Sequence, residues 1–239
     1  MKKIILPFLL LLVFNSSAQL IIKFPSKDGI IITADLYFVN DTLPYMILCH
    51  QAGFSRGEYK ETASKFTKFG YNCIAIDARS GGEVNGIKNE TAAAATSAKK
   101  AVSYLDAEQD IIAAIDYIYA KSKKKVILVG SSYSASLVLK IATTNDKVKA
   151  VLAFSPGEYF GTKLNLKESI KNLNKPFFVT SSQTEAPALA KLIKDAVSAR
   201  KQQFIPSGKG DHGSKALWKS NPNYHEYWLA LLMFMRDIE

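Results

Sequence analysis

A β-branched apolar run, Val126-Ile-Leu-Val129, breaks at Gly130, and an amphipathic run begins two residues later with Ser132 on the break. This junction constrains the chain more than any other feature. A serine on a sharp strand-to-helix turn projects its hydroxyl above a sheet, and the turn tolerates only small residues two positions to either side. Gly130 and Ser134 are both small. The following helix aims free N–H groups at the same point and favours negative charge there. The stretch reads as a nucleophile elbow, although Gly-x-Ser-x-Ser lacks the usual final glycine. Ser131 falls on the strand side and Ser134 within the helix, which leaves Ser132 as the nucleophile.

The chain opens with Met1-Lys-Lys, an apolar core to Phe14, and Asn15-Ser-Ser-Ala18. That three-part pattern predicts a secretory signal over residues 1–18, a mature chain from Gln19, and a secreted or periplasmic product. The apolar stretch is short for spanning a bilayer, so no stable membrane insertion is expected after its removal. The remaining residues, 19–239, suffice for one α/β domain. Cys49 and Cys73 lie inside apolar runs and are expected as buried thiols, not a disulfide. The full chain carries a net charge of +10, and the densest lysines are Lys99, Lys100, Lys121, Lys123, Lys124 and Lys125. They flank an amphipathic helix without an aromatic platform and read as a solvated face, so no nucleic-acid partner is expected.

Hydrophobic period predicts strands near 20–25, 30–38, 45–50, 72–77, 125–130, 148–155, 176–181 and 202–205, and helices at 58–69, 107–120, 132–143, 187–200 and 223–235. Lys27-Asp-Gly29 predicts a hairpin between the first two strands. Beyond it, alternating strands and helices imply a mainly parallel sheet covered on both faces. The order of elements, the elbow, Leu48-Cys-His-Gln-Ala-Gly53 and Asp77-Ala-Arg-Ser-Gly81 together resemble the α/β-hydrolase superfamily. The resemblance is closest to its compact dienelactone-hydrolase-like and small carboxylesterase branch, and it covers essentially the whole mature sequence. It implies an α/β-hydrolase fold with a mainly parallel eight-stranded sheet and helices on both faces. Only residues 156–175 lie between the sixth and seventh strands, too few for a large helical lid.

The family order of nucleophile, acid and histidine falls on Ser132, Glu185 and His212. A serine hydroxyl needs a base within reach, and His212, in a glycine-rich loop after the last predicted strand, is the candidate. His225 sits in an aromatic helix and His50 at a strand end, where packing or structural hydrogen bonding is expected. Glu185 follows the seventh strand where the family usually has aspartate; Glu158, after the preceding strand, is the rival acid, and Asp211 adjoins the histidine but is expected to point elsewhere. The residue after the nucleophile supplies one oxyanion donor, the Tyr133 N–H. The resemblance places the second on the Ala52 N–H, with Gln51 as the alternative. Asp77 and Arg79 are expected to hold loops through charge-assisted hydrogen bonds. Tyr133, Phe54, Tyr159 and Phe160 are candidates to line an apolar pocket, and residues 81–101 read as either a flap or a solvated excursion.

No cofactor is expected. Gly53-Phe-Ser-Arg-Gly-Glu-Tyr lacks the ending of a phosphate-binding loop, and the scattered histidines and cysteines give no metal-ligand spacing. The expected activity is hydrolysis of carboxylic esters of small soluble molecules through a Ser-His-acid triad and an acyl-enzyme. Peptide, lactone or thioester cleavage by the same residues is the alternative within enzymes. A non-catalytic binding protein on this fold is the alternative outside them.

Overall fold

The computed structural model describes residues 19–238; the expected signal segment lies outside the described residues. Β-strands β1 (Gln19–Pro25) and β2 (Ile31–Tyr37) pair antiparallel across the Asp28-Gly29 turn, in which Gly29 takes a φ of 86°. The remaining strands of the main sheet are β3 (Tyr45–Cys49), β4 (Asn72–Ile76), β7 (Val126–Ser131), β8 (Val148–Phe154), β9 (Phe177–Thr180) and β10 (Lys201–Phe204). Their order is β1-β2-β4-β3-β7-β8-β9-β10, and all neighbours from β4 to β10 run parallel. The eight-stranded, mostly parallel sheet is therefore as expected.

Strand alternation builds a core on each face. Ile47, Ile74, Leu128 and Val151 pack under α3 (Glu108–Ser122) and α4 (Tyr133–Thr144), while Met46, Leu48, Val129 and Leu152 pack under α1 (Ala63–Lys68) and α7 (Tyr224–Arg236). Cys49 and Cys73 are free, buried, and on opposite faces, and burial pushes both thiols up. No helix among the described residues is long and apolar enough to cross a membrane.

Three predicted segments differ in extent. The helix expected at 58–69 is split into a 3-10 turn, Arg56–Tyr59, and α1, because the side chains of the turn are tied inward: the Tyr59 hydroxyl donates to the Cys49 carbonyl at 2.8 Å. The helix expected at 187–200 is α6 (Ala186–Ile193); beyond it the Val197 N–H is drawn to the Lys171 carbonyl, 3.2 Å away, instead of continuing the helical ladder. Residues 81–101 are a largely solvent-exposed excursion with regular structure of its own. They carry a small hairpin, β5 (Glu83–Val84) and β6 (Ile87–Lys88), turned at Asn85-Gly86, and then α2 (Glu90–Ser97), capped by the Asn89 side chain on the Ala92 N–H at 2.7 Å. The Thr33 N–H of β2 donates to Thr91 Oγ1 at 2.9 Å, which fastens α2 to the sheet.

Between β8 and β9 lie a 3-10 turn at Gly161–Lys163 and the short α5 (Leu166–Ser169), which packs against α4 and α6.

Candidate active site

Register places the site. Cys49 of β3 pairs with Gly130 of β7, so the loop carrying residues 50–53 leaves the sheet beside the turn at Ser132. A Cβ on Gly130 would lie 2.6 Å from Ala135 Cα, so only glycine allows the helix to cross the strand end this closely. Ser132 has φ 58° and ψ −122°, a conformation costly for a residue with a Cβ, and its N–H is anchored to the Phe154 carbonyl at 2.8 Å.

The departure at Ser134 has a structural use. Its Oγ accepts from the Ser131 N–H at 2.9 Å and donates to the Cys49 carbonyl at 2.7 Å. A glycine there would leave both groups without these partners, so the serine ties the elbow to the end of β3.

His212 Nε2 lies 2.9 Å from Ser132 Oγ, and His212 Nδ1 lies 2.5 Å from Glu185 Oε1. The other carboxylate oxygen, Oε2, accepts from Ser155 Oγ at 3.0 Å, the Ser182 N–H at 3.0 Å and Ser182 Oγ at 2.8 Å. Burial opposes ionisation of Glu185, yet the hydrogen bonds from His212 and Ser182 outweigh it and bring its pKa down to about 2. The imidazole thus faces a fixed carboxylate on one nitrogen and the serine hydroxyl on the other. Ser155 binds both sides of this pair, because its Oγ also accepts from the N–H of Gly213 at 3.0 Å.

The rivals are occupied elsewhere. Glu158 accepts the N–H groups of Leu166 and Lys167 at 2.7 and 2.9 Å and caps α5. Asp211 accepts the His212 N–H at 2.7 Å and pairs with Lys215 at 3.2 Å. His50 is fully buried: its Nδ1–H donates to the Gln51 carbonyl at 2.8 Å and its Nε2 accepts from the Ala78 N–H at 2.9 Å. His225 is exposed and lies against the Tyr224 ring.

The N–H groups of Tyr133 and Ala52 have no hydrogen-bond partner among the described residues. The Gln51 N–H, by contrast, donates to Glu58 Oε2 at 2.7 Å, which leaves Ala52 as the available donor on that loop. Beside the elbow is a cleft of about 180 Å³ lined by Ser103, Tyr104, Leu105, Tyr159, Phe160 and Lys163. Of the aromatic residues expected there, Tyr159 and Phe160 line it. Tyr133 does not: its ring is buried and stacked behind Tyr104 at 4.6 Å, with its hydroxyl on the Ser80 carbonyl. Phe54 also lies outside the cleft wall, in the loop after β3. Tyr159 folds back to donate to the Ser155 carbonyl at 2.8 Å. Tyr104, Ser155 and Ser182 were not singled out by the sequence: Tyr104 and Ser155 carry no local pattern, whereas Ser182 stands in a Ser-x-x-Glu pattern with Glu185 that could have found it. Among the described residues, no group of three or more His, Cys, Asp or Glu is arranged to hold a metal ion.

Asp77 and Arg79 belong to the frame around the site, and they do not pair with each other. Asp77 accepts from Arg56, whereas Arg79 is clamped between Asp28 and Asp110.

The structure is similar to an esterase of Pyrococcus furiosus, at 13% identity over 93% of this chain and 91% of that one, with a TM-score of 0.68. It is similar to a dienelactone hydrolase from Anabaena variabilis at 14% identity, covering 92% of this chain and 97% of that one, with a TM-score of 0.70. DcsB, in complex with its substrate analogue, matches at 15% identity over 93% of this chain and 100% of that one, with a TM-score of 0.72. At these identities the likeness is one of fold. No curated protein matches the sequence directly. The sequence pattern of the Dienelactone hydrolase family does match, over residues 36–225, and the chain belongs to that family.

Proposed function

We propose that the chain is an exported serine hydrolase that cleaves carboxylic esters of small soluble molecules. The observation that carries this reading is the position of one imidazole between Ser132 Oγ at 2.9 Å and Glu185 Oε1 at 2.5 Å. Family membership supports hydrolysis, and the neighbours named as esterase and dienelactone hydrolase support an ester-like bond. The amino-terminal pattern of residues 1–18 supports export.

In this reading Ser132 Oγ attacks the acyl carbon while His212 Nε2 takes its proton. Glu185 holds the Nδ1–H and stabilises the imidazolium. The tetrahedral oxyanion is received by the N–H groups of Tyr133 and Ala52, each worth about 3–4 kcal/mol by analogy with measured oxyanion-hole losses. Collapse breaks the bond to the leaving oxygen, which takes the proton from Nε2 and departs as the alcohol. Water then gives a proton to Nε2 and attacks the acyl carbon; collapse breaks the bond to Ser132 Oγ, which takes the proton back from Nε2, and the acid departs. The cleft of Tyr104, Leu105, Tyr159 and Phe160 suits a flat apolar acyl or aryl group, because aromatic walls remove such a surface from water.

A non-catalytic binding protein would be favoured by the glycine missing at position 134 and by an acid other than Glu185 facing His212. Ser134 now has a role in bracing the elbow, and Glu185 meets the imidazole. The test is hydrolysis of p-nitrophenyl acetate by the parent, Ser132→Ala and His212→Ala. Activity in the parent that falls on the order of 10⁴-fold or more in both variants is expected. A parent without activity, or variants that retain it, contradicts the reading.

A further inference from the structure

Glu58 takes no part in the reaction just described, yet it is fully buried beneath the elbow. Its Oε1 accepts from Ser131 Oγ at 2.7 Å, Ser214 Oγ at 2.6 Å and Gln51 Nε2 at 3.4 Å. Its Oε2 accepts from the Gln51 N–H at 2.7 Å. These donors come from three separate segments. Ser131 precedes the nucleophile, Ser214 lies two residues after His212, and Gln51 precedes Ala52. The Ser214 N–H also donates to Ser131 Oγ at 2.8 Å, so the elbow and the histidine loop are joined directly as well as through the carboxylate.

None of these hydrogen-bond partners is a cation. Burying a carboxylate without one is costly, and a well-packed apolar residue often serves stability as well or better. Four donors converge, and an ionised carboxylate accepts from all of them, whereas a protonated acid would need an acceptor for its own hydrogen. Burial pushes its pKa up, while the bonds from Ser214, Ser131 and Gln51 oppose that rise.

We propose that Glu58 is a positioning residue for acyl transfer: a single carboxylate fixes the elbow, the histidine loop and the oxyanion loop relative to one another, and so holds the Ala52 N–H where the tetrahedral oxygen forms. The inference rests on the serine-hydrolase reading above. By engaging the Gln51 N–H, Glu58 fixes the peptide just before Ala52. A small rotation of that loop would misdirect the second oxyanion donor without closing the substrate cleft.

Glu58→Gln keeps the size of the side chain but cannot reproduce the four contacts. With its amide nitrogen toward Gln51, two N–H donors face each other. With the amide reversed, both serine hydroxyls must turn from donating to accepting, and Gln51 Nε2 faces an amide N–H instead of an acceptor. The experiment measures kcat and KM on an aryl ester, and affinity for an aryl trifluoromethyl ketone, whose adduct with the serine places an oxygen in the oxyanion site. Parent, Glu58→Gln and Ser214→Ala are compared, with near-UV circular dichroism and thermal melting to report folding. Glu58→Gln is expected to lower kcat about 10–100-fold with KM within about twofold, and to weaken ketone binding by a factor matching the loss in kcat/KM. Ser214→Ala, which removes one donor, is expected to lower kcat about 3–10-fold in the same pattern.

A folded Glu58→Gln enzyme with parental kcat and ketone affinity overturns the inference while leaving the hydrolase reading intact. If Glu58→Gln does not fold, Ser214→Ala decides: parental kcat there overturns the inference. A parent that neither hydrolyses the ester nor binds the ketone overturns the hydrolase reading and this inference with it.

Discussion

Two polar regions of this molecule are built from similar groups and end in opposite conditions. Around Arg79, the guanidinium bonds Asp28 at 2.8 and 2.9 Å and Asp110 at 2.7 Å, and the Arg79 N–H also reaches Asp110 at 2.8 Å. Arg56 is engaged in the same way by Asp35, Asp77, Glu90 and the Lys88 carbonyl. Around Ser132, the acid and base are also locked, but the serine hydroxyl faces the imidazole nitrogen and the Tyr159 hydroxyl, and two backbone donors beside it are unused among the described residues. The arginine region is closed by ion pairs and holds loops, although Asp35 Oδ2 is buried there without a hydrogen-bond partner. The serine region is left unfinished where a reacting carbonyl would sit. The two regions differ in the kind of partner each offers: ion pairs fill the arginine region, whereas backbone N–H donors stand open beside the serine.

The contrast is sharpest at the acid. Glu185→Ala should lower kcat on the order of 10³–10⁴-fold, while Glu158→Ala should leave it within about twofold, as read by steady-state ester hydrolysis. Equal losses in both variants would erase the distinction between the carboxylate that orients His212 and the one that caps α5.

Arg79→Ala tests the other region. It leaves Asp110 buried without its partner, and breaking a buried ion pair in this way costs about 3–5 kcal/mol. Urea unfolding should show that loss, with kcat per folded molecule nearly unchanged. A catalytic defect without a stability defect would move Arg79 into the site.

Ser134→Gly restores the usual elbow pattern yet removes two buried hydrogen bonds. It should destabilise the protein by about 1–2 kcal/mol in the same urea experiment. A neutral or stabilising result would show that the brace to Cys49 contributes nothing.

A further effect is expected on the pH dependence of stability. Glu185 has a folded pKa of about 2, below its ordinary value of 4.5. Its contribution is therefore full above about 4.5 and is lost as pH falls through about 2. The difference in thermal midpoint between the parent and Glu185→Gln should narrow across that window on acidification. A constant difference would show that the carboxylate charge is not what these bonds stabilise.

What the sequence made legible followed local chemistry. The Asp28-Gly29 turn, the period-2 strands and the Gly130–Ser132 junction each depend on neighbours in the chain, and the structure has them where expected. The Asn85-Gly86 turn is equally local, but the strands it joins are two residues each and too short to give a period-2 pattern. The length of α6 was not local, since a carbonyl from residue 171 captures the Val197 N–H. The same distinction holds at the site. Ser132 and His212 stand in recognisable surroundings, whereas Ser155 meets Glu185 and Gly213, and Glu58 meets Ser131 and Ser214, across tens of residues.

The most direct test of the account is covalent labelling of the purified protein with a fluorophosphonate, followed by mass spectrometry of its peptides. The account predicts a single phosphonyl adduct on Ser132, formed in the parent and lost or strongly slowed in His212→Ala. An adduct on Ser131 or Ser134, or no adduct on a folded parent, would contradict the claim that the open hydrogen-bonding positions around Ser132 form a hydrolytic centre.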